Sequence, residues 1–141
     1  MKHFIDICDF NKTKLDLIIK KAKLIKKNPA KFTSKCKNKT LGMIFQKEST
    51  RTRVSFIVGF QKLGGHFVEL NADTIGFGIR ESYEDVIKTL SQFINILMIR
   101  NDDHRLLRRL SSLNVLPIIN GLSNYSHPCQ ILSDMLTINE K

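Results

Sequence analysis

Two short strings combine residue types that could act together on a small anionic molecule. The first is Ser49-Thr50-Arg51-Thr52-Arg53, and the second is His127-Pro128-Cys129-Gln130. Hydroxyl donors beside a forked guanidinium suit a phosphate or carboxylate, above all at a helix N-terminus, where unpaired N–H groups and a partial positive charge already favour an anion. Ser and Thr at a turn into a helix also serve as plain caps, and both readings are open for the tripeptide alone. The glycine spacing and lysine of a Walker loop are absent. Arg100, before Asn-Asp-Asp, reads either as a third cation of the same site or as a surface ion-pair former, and His127 before Pro reads as ligand or cap. Arg53 is expected to make a structural ion pair, and Cys129, between two candidate ligands on a new helix, is expected to pack rather than react. His66 and His104 have no acidic or Cys partner at ligand spacing, so no metal site is expected.

The elements that must position these residues follow from periodicity. Leu15, Ile18, Ile19, Ala22 and Ile25 predict a helix from about Thr13 to Lys27, stopped at Asn28-Pro29. Thr40–Phe45 predicts a strand, Val54, Ile57, Val58 and Phe60 a helix, Leu63-Gly64-Gly65 its end, and His66–Leu70 the next strand. The pattern repeats. A Gly-containing loop from Asn71 to Arg80 leads to a helix opening at Ser82, with Asp85 three residues on as in a capping box, and then to a strand over residues 95–99. A short basic helix over 103–111, a fourth strand over 115–119, and a last helix from Pro128 to about Glu140 complete the chain. Alternating strands and helices predict an α/β fold, a doubly wound four-stranded parallel sheet with helices on both faces. In such a sheet, residues 46–53, Arg100, the 121–127 loop and Gln130 all follow strand ends, where ligands bind.

Composition narrows the remaining classes. A length of 141 residues suits one domain, and 42% hydrophobic with 26% charged residues is globular. No run approaches the roughly 18 apolar residues of a membrane span, and Asp6 and Asp9 interrupt any leader core, so a cytoplasmic protein is expected. The three Cys at wide spacing suggest no disulfide framework. The net charge of +10 is all N-terminal: residues 1–47 hold 13 Lys against three Asp, whereas the rest of the chain balances ten bases with ten acids. These lysines read as a solvated helix face or as a surface attracting an anionic partner; with few aromatics among them, a nucleic-acid partner is not the expected one.

Taken together, Ser-Thr-Arg-Thr-Arg, Phe56 to His66, Glu81-Ser82 and Asn120-Gly-Leu-Ser-Asn-Tyr-Ser-His-Pro-Cys-Gln130 resemble the aspartate/ornithine carbamoyltransferase family, most closely its ornithine branch. The resemblance runs along essentially the whole chain, and its two main motifs lie about 80 residues apart, each at a strand end. It implies carbamoyl phosphate as ligand, its phosphate on Ser49, Thr50, Arg51 and Thr52. Arg100 would contact phosphate and carbonyl oxygen, His127 would bond the carbonyl, and Gln130 would hold the carbamoyl NH₂. It further implies no metal or organic cofactor, transfer of the carbamoyl group to the ornithine δ-amino group with Thr52, Arg100 and His127 as catalytic donors, and a homotrimer. Glu48 and Gly76 depart from the family's pattern, which commonly has Pro or Asp at the first position and a side chain reaching a neighbouring subunit's site at the second. The Asp, Ser-Met and His-Cys-Leu-Pro elements of the family's amino-acid-binding domain do not occur. Residues 1–141 are therefore expected to be the carbamoyl-phosphate domain alone, able to meet ornithine only with a second domain or chain. A non-catalytic phosphate-binding remnant is the alternative, and a basic nucleic-acid-binding domain a more distant one.

Overall fold

The structure, a computed structural model, describes residues 2–141. Four strands, β1 (Thr40–Phe45), β2 (His66–Asn71), β3 (Ile96–Arg100) and β4 (Ile118–Leu122), form an all-parallel sheet in the order β2-β1-β3-β4. Five helices connect and flank them: α1 (Lys12–Lys27), α2 (Thr50–Lys62), α3 (Tyr83–Leu90), α4 (His104–Ser112) and α5 (Pro128–Ile138). The predicted α/β architecture is present, with short 3-10 turns at Ile7–Asp9 and Pro29–Phe32 that the periodicity does not announce. No helix of the described residues is long and apolar enough to cross a membrane.

Alternation along β1 divides the core in two. Leu41, Met43 and Phe45 point, with Met98, toward Phe56, Ile57 and Phe60 of α2. Ile44 points the other way, with Leu97, Ile99 and Ile118, into a larger cluster built with Val86 and Ile87 of α3 and Leu106, Leu107 and Leu110 of α4. The inward face of α2 is thus set by Phe56, Ile57 and Phe60, whereas Val54 and Val58, counted above as part of one apolar stripe, are 51% and 40% exposed. Local signals end the elements. Ser82 Oγ accepts from Asp85 N at 3.1 Å and so caps α3. Gly64, at φ +84°, turns the chain out of α2 where an added Cβ would meet the Thr33 carbonyl oxygen.

β4 departs from the expected 115–119 by three residues. Asn114 leaves α4 in the left-handed region at φ 59°, residues 115–117 carry the chain back to the sheet, and Pro117 has no N–H for a ladder. Regular pairing starts at Ile118, which lies opposite Leu97, and an irregularity between Ile99 and Arg100 then sets Arg100 opposite Leu122. The outer edge of β4 is covered by the N-terminal segment: Phe4 N donates to the Ile118 carbonyl at 2.8 Å, and Asn120 N donates to the Phe4 carbonyl at 2.8 Å. α1 packs on α5, where Lys26 pairs with Glu140 at 2.6 Å.

Candidate functional site

From β1 the chain crosses to β2 on one side and then to β3 on the other, so the carboxyl ends of β1 and β3 open the crevice of a doubly wound sheet. The first string begins there. Gln46 N donates to the Arg100 carbonyl at 3.0 Å, which ties the turn after β1 to the last residue of β3. α2 then starts at Thr50 with Ser49 at its N-cap position. Ser49 makes no side-chain cap bond. Its hydroxyl accepts instead from Arg100 Nη1 at 3.0 Å, and the Thr52 hydroxyl accepts from the same nitrogen at 3.3 Å. Each hydroxyl keeps its own proton to donate outward. Arg51 is exposed and makes no ion pair or hydrogen bond with the described residues, which leaves a free guanidinium beside the helix N-terminus.

The second string arrives from β4 and α5. His127 precedes Pro128 with φ −125° and ψ 73°, makes no cap bond, and has a buried Nδ1 without a partner. Burial, and after it the positive charge of Arg100, hold the imidazole below its ordinary range, while Asp134 pulls the other way. The neutral ring is the stable form near pH 7, so one ring nitrogen donates. Gln130 Nε2 donates to Asp134 Oδ1 at 2.9 Å. Since a carboxylate only accepts, this bond fixes the amide's orientation and leaves Oε1 as a free acceptor.

A cavity of about 580 Å³ lies between these groups, lined by all seven predicted residues, Ser49, Thr50, Arg51, Thr52, Arg100, His127 and Gln130, with Glu48 and Leu122. Leu122, which the sequence reading places in the 121–127 loop and does not single out, is the last residue of β4, because that reading ends the strand three residues early. The neighbouring residues behave as supports. Arg53 lies over the Phe45 ring at 4.9 Å, 2.9 Å from Glu69 in a contact that is an ion pair rather than an aligned hydrogen bond, and 3.3 Å from Glu48. Glu48 is thus paired with Arg53, whereas its neighbour Lys47 pairs with Asp102. Burial pushes the Cys129 thiol up to about 11, so it remains protonated at neutral pH. Gly76 adopts φ +62°, and an added Cβ would meet the Arg80 side chain, so this loop geometry is closed to the side chain the family's pattern suggests. His104 Nδ1 lies 2.9 Å from Ser123 Oγ, outside the cavity.

A basic, hydroxyl-rich crevice at the switch point of a parallel sheet has the chemistry that suits a small anion, and comparison with known proteins gives the family. The model of the aspartate/ornithine carbamoyltransferase carbamoyl-P binding domain matches residues 2–140. The ornithine carbamoyltransferase of Archaeoglobus fulgidus is 41% identical over 142 residues, covering 99% of this chain and 46% of that protein. The Listeria monocytogenes enzyme of the same name is 40% identical over 139 residues, covering 99% of this chain and 44% of its own length. Among solved structures, Pyrococcus furiosus ornithine carbamoyltransferase superposes with a TM-score of 0.93 at 38% identity, covering 99% of this chain and 45% of that one. The chain belongs to the aspartate/ornithine carbamoyltransferase family, as its carbamoyl-phosphate-binding domain. It spans somewhat less than half the length of the relatives it matches.

Proposed function

We propose that the crevice binds carbamoyl phosphate and presents it for carbamoyl transfer to the δ-amino group of ornithine, giving citrulline and phosphate. The observation that carries this reading is the convergence on one cavity of a free Arg51, Arg100 already braced by two hydroxyls, and His127 with a buried, unpaired nitrogen. The phosphate rests on Ser49, Thr50, Arg51 and Thr52 at the start of α2, where backbone N–H groups and cations converge. Arg100 spans phosphate and carbonyl oxygen, His127 donates to the carbonyl oxygen, and Gln130 Oε1 accepts from the carbamoyl NH₂. Attack by the amine moves negative charge onto the carbonyl oxygen, and Thr52, Arg100 and His127 are the donors aimed at it. As the C–O bond to phosphate breaks, the departing phosphate takes up the proton that the attacking amine loses, and the resulting dianion stays paired with Arg51 and the helix terminus. No group lining the crevice selects an α-amino acid, so ornithine is bound by residues outside the crevice.

The relatives' ornithine specificity supports the choice of acceptor. A homotrimer is part of the same reading: β2 is a sheet edge, and Val54, Val58 and Val68 leave an apolar face on α2 and β2 open to a second copy. A cytoplasmic location, where both substrates are soluble, completes it. Calorimetric titration of the 141-residue chain with carbamoyl phosphate tests the binding step, and absence of binding overturns it. Citrulline formation is expected only when a separately expressed ornithine-binding domain is added, and it should vanish with Arg100→Ala. Binding without turnover in that mixture would instead favour a non-catalytic phosphate-binding remnant. Robust turnover by the chain alone would overturn the division of labour.

A further inference from the structure

His127, like Glu48 and Ser49, has its backbone in no helix or strand, so its aim depends on the turn before it. That turn is held by buried polar groups rather than by apolar packing. Within it, Ser123 N donates to the Ser126 carbonyl at 3.0 Å and Ser126 N to Ser123 Oγ at 3.1 Å. From β4, the fully buried Asn120 donates through Nδ2 to the Ser126 carbonyl at 3.1 Å and to the Ile5 carbonyl at 2.9 Å. From the N-terminal segment, Asp6, 4% exposed, accepts the Ser126 hydroxyl at 3.2 Å.

A carboxylate this enclosed is costly to bury unless its oxygens are satisfied. Besides Ser126, the Asp6 side chain caps its own turn, accepting from Cys8 N at 3.3 Å and from the Asp9 backbone, and its Oδ2 lies 3.7 Å from Arg108 Nη2. The one hydrogen bond that Asp6 makes to the turn before α5 goes to Ser126, the residue preceding His127. We propose that Asp6, through the Ser126 hydroxyl, and Asn120, through the Ser126 carbonyl, are positioning residues that fix the direction of the His127 imidazole into the cavity. A ligand that must meet His127, Arg100 and Gln130 at once is sensitive to small displacements of the ring.

This inference rests on the proposed ligand, so its test has an arm without ligand. The 141-residue chain and its Ser126→Ala, Asp6→Ala and Asp6→Asn variants are compared by NMR titration of the His127 ring, by calorimetry with carbamoyl phosphate, and by urea unfolding. Arg100 and Asp134, the charged groups that bear on His127, are unaltered in every variant. In folded Ser126→Ala and Asp6→Ala, the His127 midpoint is expected to rise toward its ordinary value as the ring gains water, and affinity to fall about tenfold, the scale of one lost buried hydrogen bond. Asp6→Asn keeps an acceptor for Ser126 and is expected to restore both readouts. If Ser126→Ala does not fold, Asp6→Ala decides, because its site lies on the N-terminal segment outside the sheet core. A wild-type titration curve and wild-type affinity in a folded Ser126→Ala or Asp6→Ala chain would overturn the proposal. Failure of the wild type to bind carbamoyl phosphate overturns the ligand assignment alone, and the titration arm still decides the positioning.

Discussion

Arg100 and the lysines of α1 carry the same charge in different settings. Arg100 ends a strand whose Leu97, Met98 and Ile99 are fully buried, and its guanidinium is bonded to two hydroxyls before any ligand arrives. The α1 lysines stand on a helix with one buried residue, Ile19, and most of them end in water. The N-terminal third holds the whole charge excess, yet the residues that line the convergent cavity all come from positions 48–130, within the part of the chain whose formal charges cancel. A recognition site is made by holding a few groups in fixed relation on a rigid support and partly removing water from them, which strengthens each interaction. Charge that is merely abundant is screened within about 10 Å at moderate salt.

Four measurements can break or sharpen this contrast. Removing the support should have the largest effect: Leu97→Ala opens a void under β3 and should cost about 2–5 kcal/mol of stability in urea unfolding, whereas a loss below 1 kcal/mol would mean that the strand is not the rigid base described. Second, Arg51→Ala should weaken carbamoyl phosphate binding by roughly 2–4 kcal/mol in calorimetry with the unfolding midpoint unchanged, since Arg51 is exposed and unpaired. Equal affinity of wild type and variant would remove the phosphate from the start of α2.

A third, smaller effect concerns pH. His127 titrates below its ordinary value of 6.5 in the folded chain, so just under that pH the unfolded chain binds more protons than the folded one. Stability should therefore fall as pH drops from 6.5 toward the depressed folded value, and His127→Gln should flatten that part of the profile. An unchanged slope in the variant would place the titration elsewhere. Fourth, reversing the exposed Lys20 and Lys27 to Glu should change stability by no more than about 0.5 kcal/mol each. DNA binding by the wild type should be weak and lost between low and physiological salt. Tight binding at physiological salt would give α1 a recognition role and dissolve the contrast.

The elements that hold the site were readable because each leaves a local mark. β1 is an apolar run bounded by polar turns, α3 carries Ser82 with Asp85, and α5 starts at a proline that a first helical turn accepts. That the seven residues Ser49 to Thr52, Arg100, His127 and Gln130 come together at one cavity was readable as well, since each follows a strand end or opens a helix. The sequence was less informative where structure depends on distant partners. Val54 and Val58 match the helical period as well as Ile57 does, and only the sheet decides which face turns inward. The start of β4 was misplaced because an apolar run such as Val115–Ile119 says nothing about where Asn114 and Pro117 let pairing begin. Asp6 gave no sign of its role beyond being a charge in an apolar stretch, since its partner Ser126 lies 120 residues away.

That separation orders events in time. The bonds that seat the N-terminal segment on β4 join residues more than a hundred positions apart, 115 for Asn120 with Ile5 and 120 for Ser126 with Asp6. During synthesis Ile5 and Asp6 leave the ribosome more than a hundred residues ahead of these partners. Closing so long a loop carries an entropic cost that only the rest of the sheet can offset. Ile5 and Asp6 therefore wait for these partners while β1, β2 and β3 assemble, and their docking follows the arrival of the turn that carries His127.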